Sequence, residues 1–324
     1  MEKEALEGKV SGAIFGLAIG DALGFPIEFT RKTLWKDETD TKEMDLERKP
    51  IAIYSDDTQM SIAVANALIS TPKPYELEAT MANVRGEFVR WLKSPDNNRA
   101  PGMTCLEGTK NLERGIEWKK SWVISRGCGT AMRTAPIGVL FYNNPQKLIE
   151  IASATSVCTH AHPTAVASGI ATAYLTALAL KGEDPNTYIQ RVVEIAKSQF
   201  GKDSKEFVGK IKQVDEVLKI KDKYKALTTL GEGWTGHEAV AIALYSFLRN
   251  PRDFKKTLVT SVNHNGDSDS TGCIAGAISG AYNGVDSIPK RWIASIENKN
   301  GLEKISKDLT KLTLEYNQNI QSTP

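Results

Sequence analysis

The chain is short of the features that mark several protein classes. It has only four cysteines in 324 residues, Cys105, Cys128, Cys158 and Cys273, with no C-x-x-C pair and no histidine at zinc spacing. This argues against a disulfide-stapled scaffold and a structural zinc module, and points to free thiols in a reducing cytoplasm. Charge of one sign is lacking too: 41 Lys+Arg against 39 Asp+Glu leave +2. No nucleic-acid footprint or polybasic membrane anchor is expected from that balance. The first residues, Met1-Glu2-Lys3-Glu4, mix charges before a short apolar stretch, unlike a secretory signal. The strongest membrane candidate, Ala165 to Leu180, is interrupted by Ser168, Thr172 and Thr176. It falls short of the roughly 20 apolar residues a span requires, and reads as a buried central helix. Alternating apolar runs are scarce, which leaves little room for β-sheet.

What is present is helical. Apolar residues recur every three to four positions over 58–70, 76–93, 145–157, 163–181, 186–199, 204–221, 236–249, 252–263, 270–283 and 300–316. Pro145, Pro163 and Pro251 stand where first-turn prolines belong, and Gly182 follows a helix as a stop. The pattern predicts an all-α fold in a single compact multi-helix domain over residues 1–316, with 317–324 as a frayed tail. Polar segments Thr30 to Pro50 and Ser94 to Gly102 read as surface loops, of a length that often serves as a lid. Gly12, Gly16 and Gly20 recur every four residues, as do Gly272, Gly276 and Gly280. At that period each row lies on one helix face and lets a neighbouring backbone approach.

Two acidic clusters carry the chemistry: Ser55-Asp56-Asp57-Thr58 and Asp267-Ser268-Asp269-Ser270-Thr271. Ser55 is a natural helix cap, and Asp56 and Asp57 then meet the positive end of the helix dipole. Capping alone accounts for a lone Ser-Asp-Asp. In the second cluster Asn265-Gly266 reads as a turn, Asp267 and Asp269 sit two apart, and Ser270 or Thr271 begins the next helix. Capping needs only one of those two acids. If the fold joins the clusters, four carboxylates repel unless cations intervene, and hard divalent cations take oxygen ligands. A pair of metals about 3.5–4 Å apart would resolve the repulsion. A thiol–imidazole reading of Cys158 with His160 and His162 is the weaker alternative. His264 is assigned to loop support.

Read in order, Gly20-Asp21-Ala22-Leu23-Gly24 with Glu28, Ser55-Asp56-Asp57-Thr58, Gly127-Cys128-Gly129-Thr130-Ala131-Met132-Arg133, Thr159-His160 and Gly266-Asp267-Ser268-Asp269-Ser270 resemble the motifs of ADP-ribosylglycohydrolases. Gly231-Glu232-Gly233-Trp234 and Gly280-Ala281-Tyr282-Asn283-Gly284 are similar to the family's later signature. The resemblance covers most of the chain, and its motifs are specific in combination.

It implies an all-α fold of the ADP-ribosylglycohydrolase type, with two Mg2+ ions, replaceable by Mn2+, cleaving the bond at C1 of the distal ribose of ADP-ribose. Carried over by position, Ser55, Asp56, Asp57, Asp267, Asp269 and Ser270 bind metal. Glu28, Asp57 and Asp269 form the catalytic set, Glu28 as acid/base or metal gate, although taken alone it reads as an exposed loop charge. Ser125, Arg126, Gly127, Cys128 and Gly129 resemble the loop around the pyrophosphate, Gly102 a substrate-loop glycine, and His160 a residue lining the nucleotide pocket. Cys128 stands where many members have Asn, and Ser55 and Ser270 where many have Thr. The segments Ser125 to Arg133 and Arg99 to Cys105 are similar to those of bacterial ADP-ribosylarginine hydrolases. The implied substrate is an ADP-ribosylated protein and the product ADP-ribose, with no membrane or nucleic-acid partner, in the cytoplasm. The alternatives are another linkage, such as ADP-ribosylserine or O-acetyl-ADP-ribose, and a non-catalytic binding or structural relative.

Overall fold

The computed structural model describes residues 2–29 and 51–321. The expected lid at Thr30 to Pro50 therefore lies outside the described residues. Within them the chain forms fifteen α-helices joined by short 3-10 turns. In order these are α1 (Lys3–Gly24), α2 (Asp56–Ser70), α3 (Leu77–Leu92), α4 (Met103–Glu113), α5 (Ala135–Leu140), α6 (Pro145–Val157), α7 (Pro163–Lys181) and α8 (Tyr188–Phe200). There follow α9 (Lys205–Val217), α10 (Lys223–Leu230), α11 (Gly236–Arg249), α12 (Phe254–Ser261), α13 (Ser268–Asn283), α14 (Lys290–Ser295) and α15 (Lys299–Gln321). Among the described residues β-structure is limited to isolated bridges, Ala52 with Ile296, Val123 with His160 and Gly127 with Thr235. The all-α expectation holds.

The two glycine rows meet each other. Gly12 faces Gly280, Gly16 faces Gly276, and Gly20 faces Gly272, so α1 and α13 run antiparallel in backbone contact. A Cβ on Gly16 would lie 2.2 Å from the Gly276 carbonyl oxygen, and one on Gly276 would lie 2.0 Å from that of Gly16. At Gly24 the same seam reaches Ser268, whose hydroxyl donates to the Gly24 carbonyl at 3.0 Å. Every residue of α1 from Gly12 to Gly24 is buried, as is α13 from Ser268 to Ala281. The direction of this pairing brings the carboxyl end of α1 to the amino end of α13.

Beside this pair lies α7, buried along most of its length as expected. His162 Nδ1 caps its start, accepting from Thr164 N at 3.2 Å, and Gly182 ends it at φ 71°, in the left-handed region. Lys3–Ile27 and Pro163–Lys181 are long and apolar enough to cross a membrane by composition, yet 78% and 89% of those windows are buried inside the protein. A second apolar cluster joins α2, α3 and α6 through Val64, Phe88, Phe141 and Ile151.

Several boundaries differ from expectation. The helix read over 204–221 stops at Val217, and a further helix that the periodicity did not mark, α10, follows it, capped by Asp222, which accepts from Lys225 N at 3.1 Å. The helix expected from 252 begins at Phe254, with Asp253 rather than Pro251 marking its start: Asp253 accepts from Lys256 N at 2.9 Å. The helix expected from 270 begins at Ser268. Helix α4 escapes the periodicity because its buried face is only Cys105, Gly108, Thr109 and Leu112. At the end of the chain α15 runs past 316 to Gln321, and 322–324 lie outside the described residues.

Candidate metal centre

The site forms where α1, α2 and α13 converge. Near the end of α1, the fully buried Asp21 accepts from Ser55 N and Thr58 N, both at 2.9 Å, and from Thr58 Oγ1 at 2.6 Å. This one carboxylate ties α1 to the start of α2. The extended segment leading into α2 is clamped from its other side. Ala52 N donates to Ser295 O at 2.7 Å, Tyr54 N donates to Glu297 Oε1 at 2.8 Å, and Arg99 pairs with Glu297 while donating to Tyr54 O at 3.1 Å. Ser55 then caps α2, its hydroxyl accepting from Asp57 N at 3.3 Å. Asp56 accepts from Gly102 N at 3.2 Å, which joins the start of α2 to the 99–102 loop.

The second cluster differs from the extended turn expected of it. Asp267 is the cap of α13, accepting from Ser270 N at 3.3 Å, and Asp269 lies in the first turn. Both carboxylates therefore face the positive end of that helix, as Asp56 and Asp57 face that of α2. The turn before it is held by Asp267 N donating to Glu232 O at 2.8 Å, and by Gly266, where a Cβ would lie 1.8 Å from the Glu232 oxygen. His264 supports this turn, as expected. Its Nδ1 accepts from Gly266 N at 3.2 Å, leaving Nε2 to donate to Thr271 Oγ1 at 2.8 Å, and burial pushes its pKa down to about 4.

Six carboxylates, Asp21, Glu28, Asp56, Asp57, Asp267 and Asp269, are buried here, none more than 6% exposed. Glu28 is thus not an exposed loop charge: the short 3-10 turn Phe25–Ile27 folds it back onto α13. One oxygen from each of Glu28, Asp267 and Asp269 lies within 4.8 Å of the others. Burial raises the pKa of all six, and the Asp269 charge is the next cause for Asp21, Glu28 and Asp57. Asp21 is pushed up to about 7 and Glu28 to about 10. Glu28 Oε2 and Asp57 Oδ2 have no hydrogen-bond partner among the described residues. Buried, orphaned carboxylate oxygens are costly, and a site of oxygen donors with excess negative charge fits a hard divalent cation.

This sets the sign of a pH effect. Raised carboxyl pKa values stabilise the fold where the groups are protonated, and that contribution is lost as pH rises from the unfolded value of 3.8 through about 7 for Asp21. Glu28 extends the loss toward about 10. In the presence of a chelator, the melting temperature is expected to fall more steeply between about pH 5 and pH 8 than that of an Asp21→Asn variant. Magnesium or manganese is expected to raise it more at the higher pH, since proton and cation compete for the same oxygens. A cation-induced shift of equal size at both pH values would show that binding lies elsewhere.

A cavity of about 370 Å³ opens over the carboxylates. Glu28, Asp56, Asp57, Asp267, Asp269 and Ser270 line it, together with Gly102, Gly127, Cys128, Gly129 and His160. Ser55 lies behind this wall as the cap of α2. Gly129 has no room for a side chain, since a Cβ would lie 2.4 Å from Cys105 Sγ and 3.0 Å from His160 Cε1. Gly102 is the opposite case, with only Cys105 Sγ at 3.8 Å, so its missing side chain leaves open space in the cavity.

Three residues expected around the pyrophosphate sit differently. Arg126 is not among the residues lining the cavity; its guanidinium is drawn out to Glu206 at 2.6 Å, a carboxylate that also accepts from Thr164 Oγ1. Ser125 braces the loop from behind, accepting from Thr104 Oγ1 at 3.0 Å and Gly127 N at 3.1 Å. The Cys128 thiol turns to the acidic cluster, 2.8 Å from Asp267 Oδ2 and 3.4 Å from Ser270 Oγ. Burial and the Asp267 charge hold that thiol well above its usual pKa. Cys158 is fully buried and donates to the Thr155 carbonyl at 3.1 Å, which gives no support to a thiol–imidazole pair.

Asp21 and the rim were missed as site residues. Asp21 had a signal, the one charged residue in the stretch Val10 to Gly24 of α1. Phe29 and Trp234 line the mouth of the cavity and stack with ring centroids 5.9 Å apart; their partnership across the chain left no sequence signal.

Comparison with known proteins shows the family. The ADP-ribosylglycohydrolase family profile matches residues 2–319. The ADP-ribosyl-[dinitrogen reductase] glycohydrolase of Rhodospirillum rubrum is 26% identical, over 92% of this chain and 94% of the relative. Bovine ADP-ribosylhydrolase ARH3 is 26% identical over 93% and 92% of the two chains. The ADP-ribosylarginine hydrolase Tri1 of Serratia proteamaculans is 25% identical over 95% and 80%. A solved structure described as an ADP-ribosylglycohydrolase-related protein complex has the same fold, with a TM-score of 0.71 and 24% identity over 96% of this chain and 99% of that one. The profile match spans nearly the whole sequence: the chain belongs to the ADP-ribosylglycohydrolase family, a family of hydrolases.

Proposed function

We propose that the protein is a magnesium-dependent hydrolase that releases ADP-ribose from arginine side chains of a modified protein. The observation that carries this reading is the set of six buried carboxylates, two with orphaned oxygens, of which Glu28, Asp56, Asp57, Asp267 and Asp269 line a cavity at the starts of α2 and α13. Asp56, Asp57, Asp267 and Asp269, with the hydroxyls of Ser55 and Ser270, would hold two magnesium ions, with manganese able to replace them. Bound there, the ions supply Lewis-acid polarisation of the ribose hydroxyls and of a water.

The chain's own residues do the rest. Residues 127–129 and His160 line the cavity with the carboxylates, and Gly102 leaves room beside Asp56. Glu28, buried beside Asp267 and Asp269, is the carboxyl placed to pass a proton to the leaving nitrogen. The arginine linkage is supported by likeness to the Serratia relative, and a protein substrate by the name of the Rhodospirillum relative. Four free cysteines suit a reducing cytoplasm.

The test is release of ADP-ribose from an arginine-modified protein, with and without magnesium, alongside a serine-modified peptide. Magnesium-dependent release from arginine is expected. Release from serine alone would overturn the linkage, and tight ADP-ribose binding without release from either would favour a binding protein.

A further inference from the structure

Arg133 packs beside the cavity, its guanidinium 3.6 Å from Cys105 Sγ, and takes no part in the acidic site described above. It is fully buried, and among the described residues no carboxylate pairs with it. Its guanidinium lies over the Phe88 ring at 4.7 Å and donates from Nη2 to the Thr155 carbonyl and to Thr159 Oγ1, both at 2.7 Å. A buried cation with only neutral partners is costly. Its hydrogen bonds have a directional consequence.

Arginine only donates, so Thr159 Oγ1 must accept from it and has a single proton left to give. Two acceptors are in reach, His160 Nδ1 at 2.7 Å and the Ser156 carbonyl at 3.5 Å. That carbonyl already accepts from Thr159 N at 3.2 Å and His160 N at 2.9 Å. The hydroxyl proton therefore goes to His160 Nδ1, and the ring proton sits on Nε2. Burial and the nearby Arg133 charge hold the His160 pKa well below 6.5, so the ring is neutral. Nε2 lies on the side of Gly127 and Gly129, where a Cβ on either glycine would come within 3.3 Å of it, and His160 lines the cavity.

We propose that Arg133, acting through Thr159, is a positioning residue that fixes His160 as a neutral Nε2–H donor aimed into the cavity at an anionic oxygen of the ligand. The ligand's identity as ADP-ribose rests on the functional reading above; the relay itself does not.

The experiment reads the two separately. Long-range proton–nitrogen NMR distinguishes the nitrogens of a histidine ring, and with four histidines in the chain a His160→Gln variant identifies the signal. The wild-type ring is expected to show a bare Nδ1 and a protonated Nε2. Thr159→Val keeps the side-chain volume but removes the relay, and is expected to abolish the single-tautomer signature and weaken ADP-ribose binding about 10-fold or more, while Thr159→Ser restores both. Arg133→Met is expected to act in the same direction, with its fold checked by circular dichroism. A protonated Nδ1 in the wild type, or a Thr159→Val protein with unchanged tautomer and affinity, overturns the proposal. An Nε2–H ring in a wild-type protein that binds no ADP-ribose would support the relay and sink the functional reading instead.

Discussion

Asp269→Asn is expected to cut ADP-ribose release by at least about a thousandfold, equivalent to ~4 kcal/mol of transition-state stabilisation, while raising the melting temperature of the chelator-treated protein. The two effects oppose each other for one reason. The Asp269 charge raises the pKa of Asp21, Glu28, Asp56 and Asp57, so it is the centre of the mutual repulsion. An amide of the same shape relieves that repulsion and keeps an oxygen to accept from Ser270 N, a contact now 3.0 Å long. What it loses is the anionic ligand. Asp57→Asn is expected to behave alike, since Asp57 Oδ2 has no hydrogen bond to forfeit. Turnover assays with and without magnesium, alongside melting in chelator, give both readouts. Parallel loss of activity and stability would mean that these side chains hold the fold instead.

The second large effect lies in the helix seam. Gly20→Val is expected to destabilise the protein by about 3 kcal/mol or more, because its Cβ would lie 2.0 Å from the Gly272 carbonyl oxygen. The obstacle is backbone, so no rotamer relieves it and the helices must part. Parting α1 from α13 also moves Asp21 and Glu28 away from Asp267 and Asp269, and cation binding is expected to weaken with stability. Gly8 is the control. It lies on α1 with nothing within 4 Å of the point where a Cβ would sit, so Gly8→Ala is expected to be neutral or stabilising by up to about 1 kcal/mol through helix propensity. Urea unfolding of the two variants checks both, and a wild-type midpoint for Gly20→Val would sink the account of the seam.

Much of the site was legible because it is written in local signals. A cap followed by acids marks a helix start whatever the helix later packs against, so Ser55 to Asp57 and Asp267 to Ser270 could be read as metal-binding candidates. The four-residue glycine period was equally plain, but it says only that something comes close to that face. Glu28 shows the limit. Its neighbours in sequence suggest an exposed turn, and only the return of the chain onto α13 buries it. Arg126 shows the converse: a cation beside two glycines invites a phosphate reading, until Glu206, distant in sequence, draws its guanidinium away from the cavity.

The amino-acid order by itself determined the helical class, most helix starts and stops, the two acidic helix starts, and the close-contact faces of α1 and α13, because each follows from interactions within a few residues. Only the tertiary structure decided that those faces meet antiparallel, that Asp21 binds the start of α2, and that six carboxylates share one buried centre. Burial and charge–charge repulsion depend on which distant segments become neighbours, and chain order does not contain that distance.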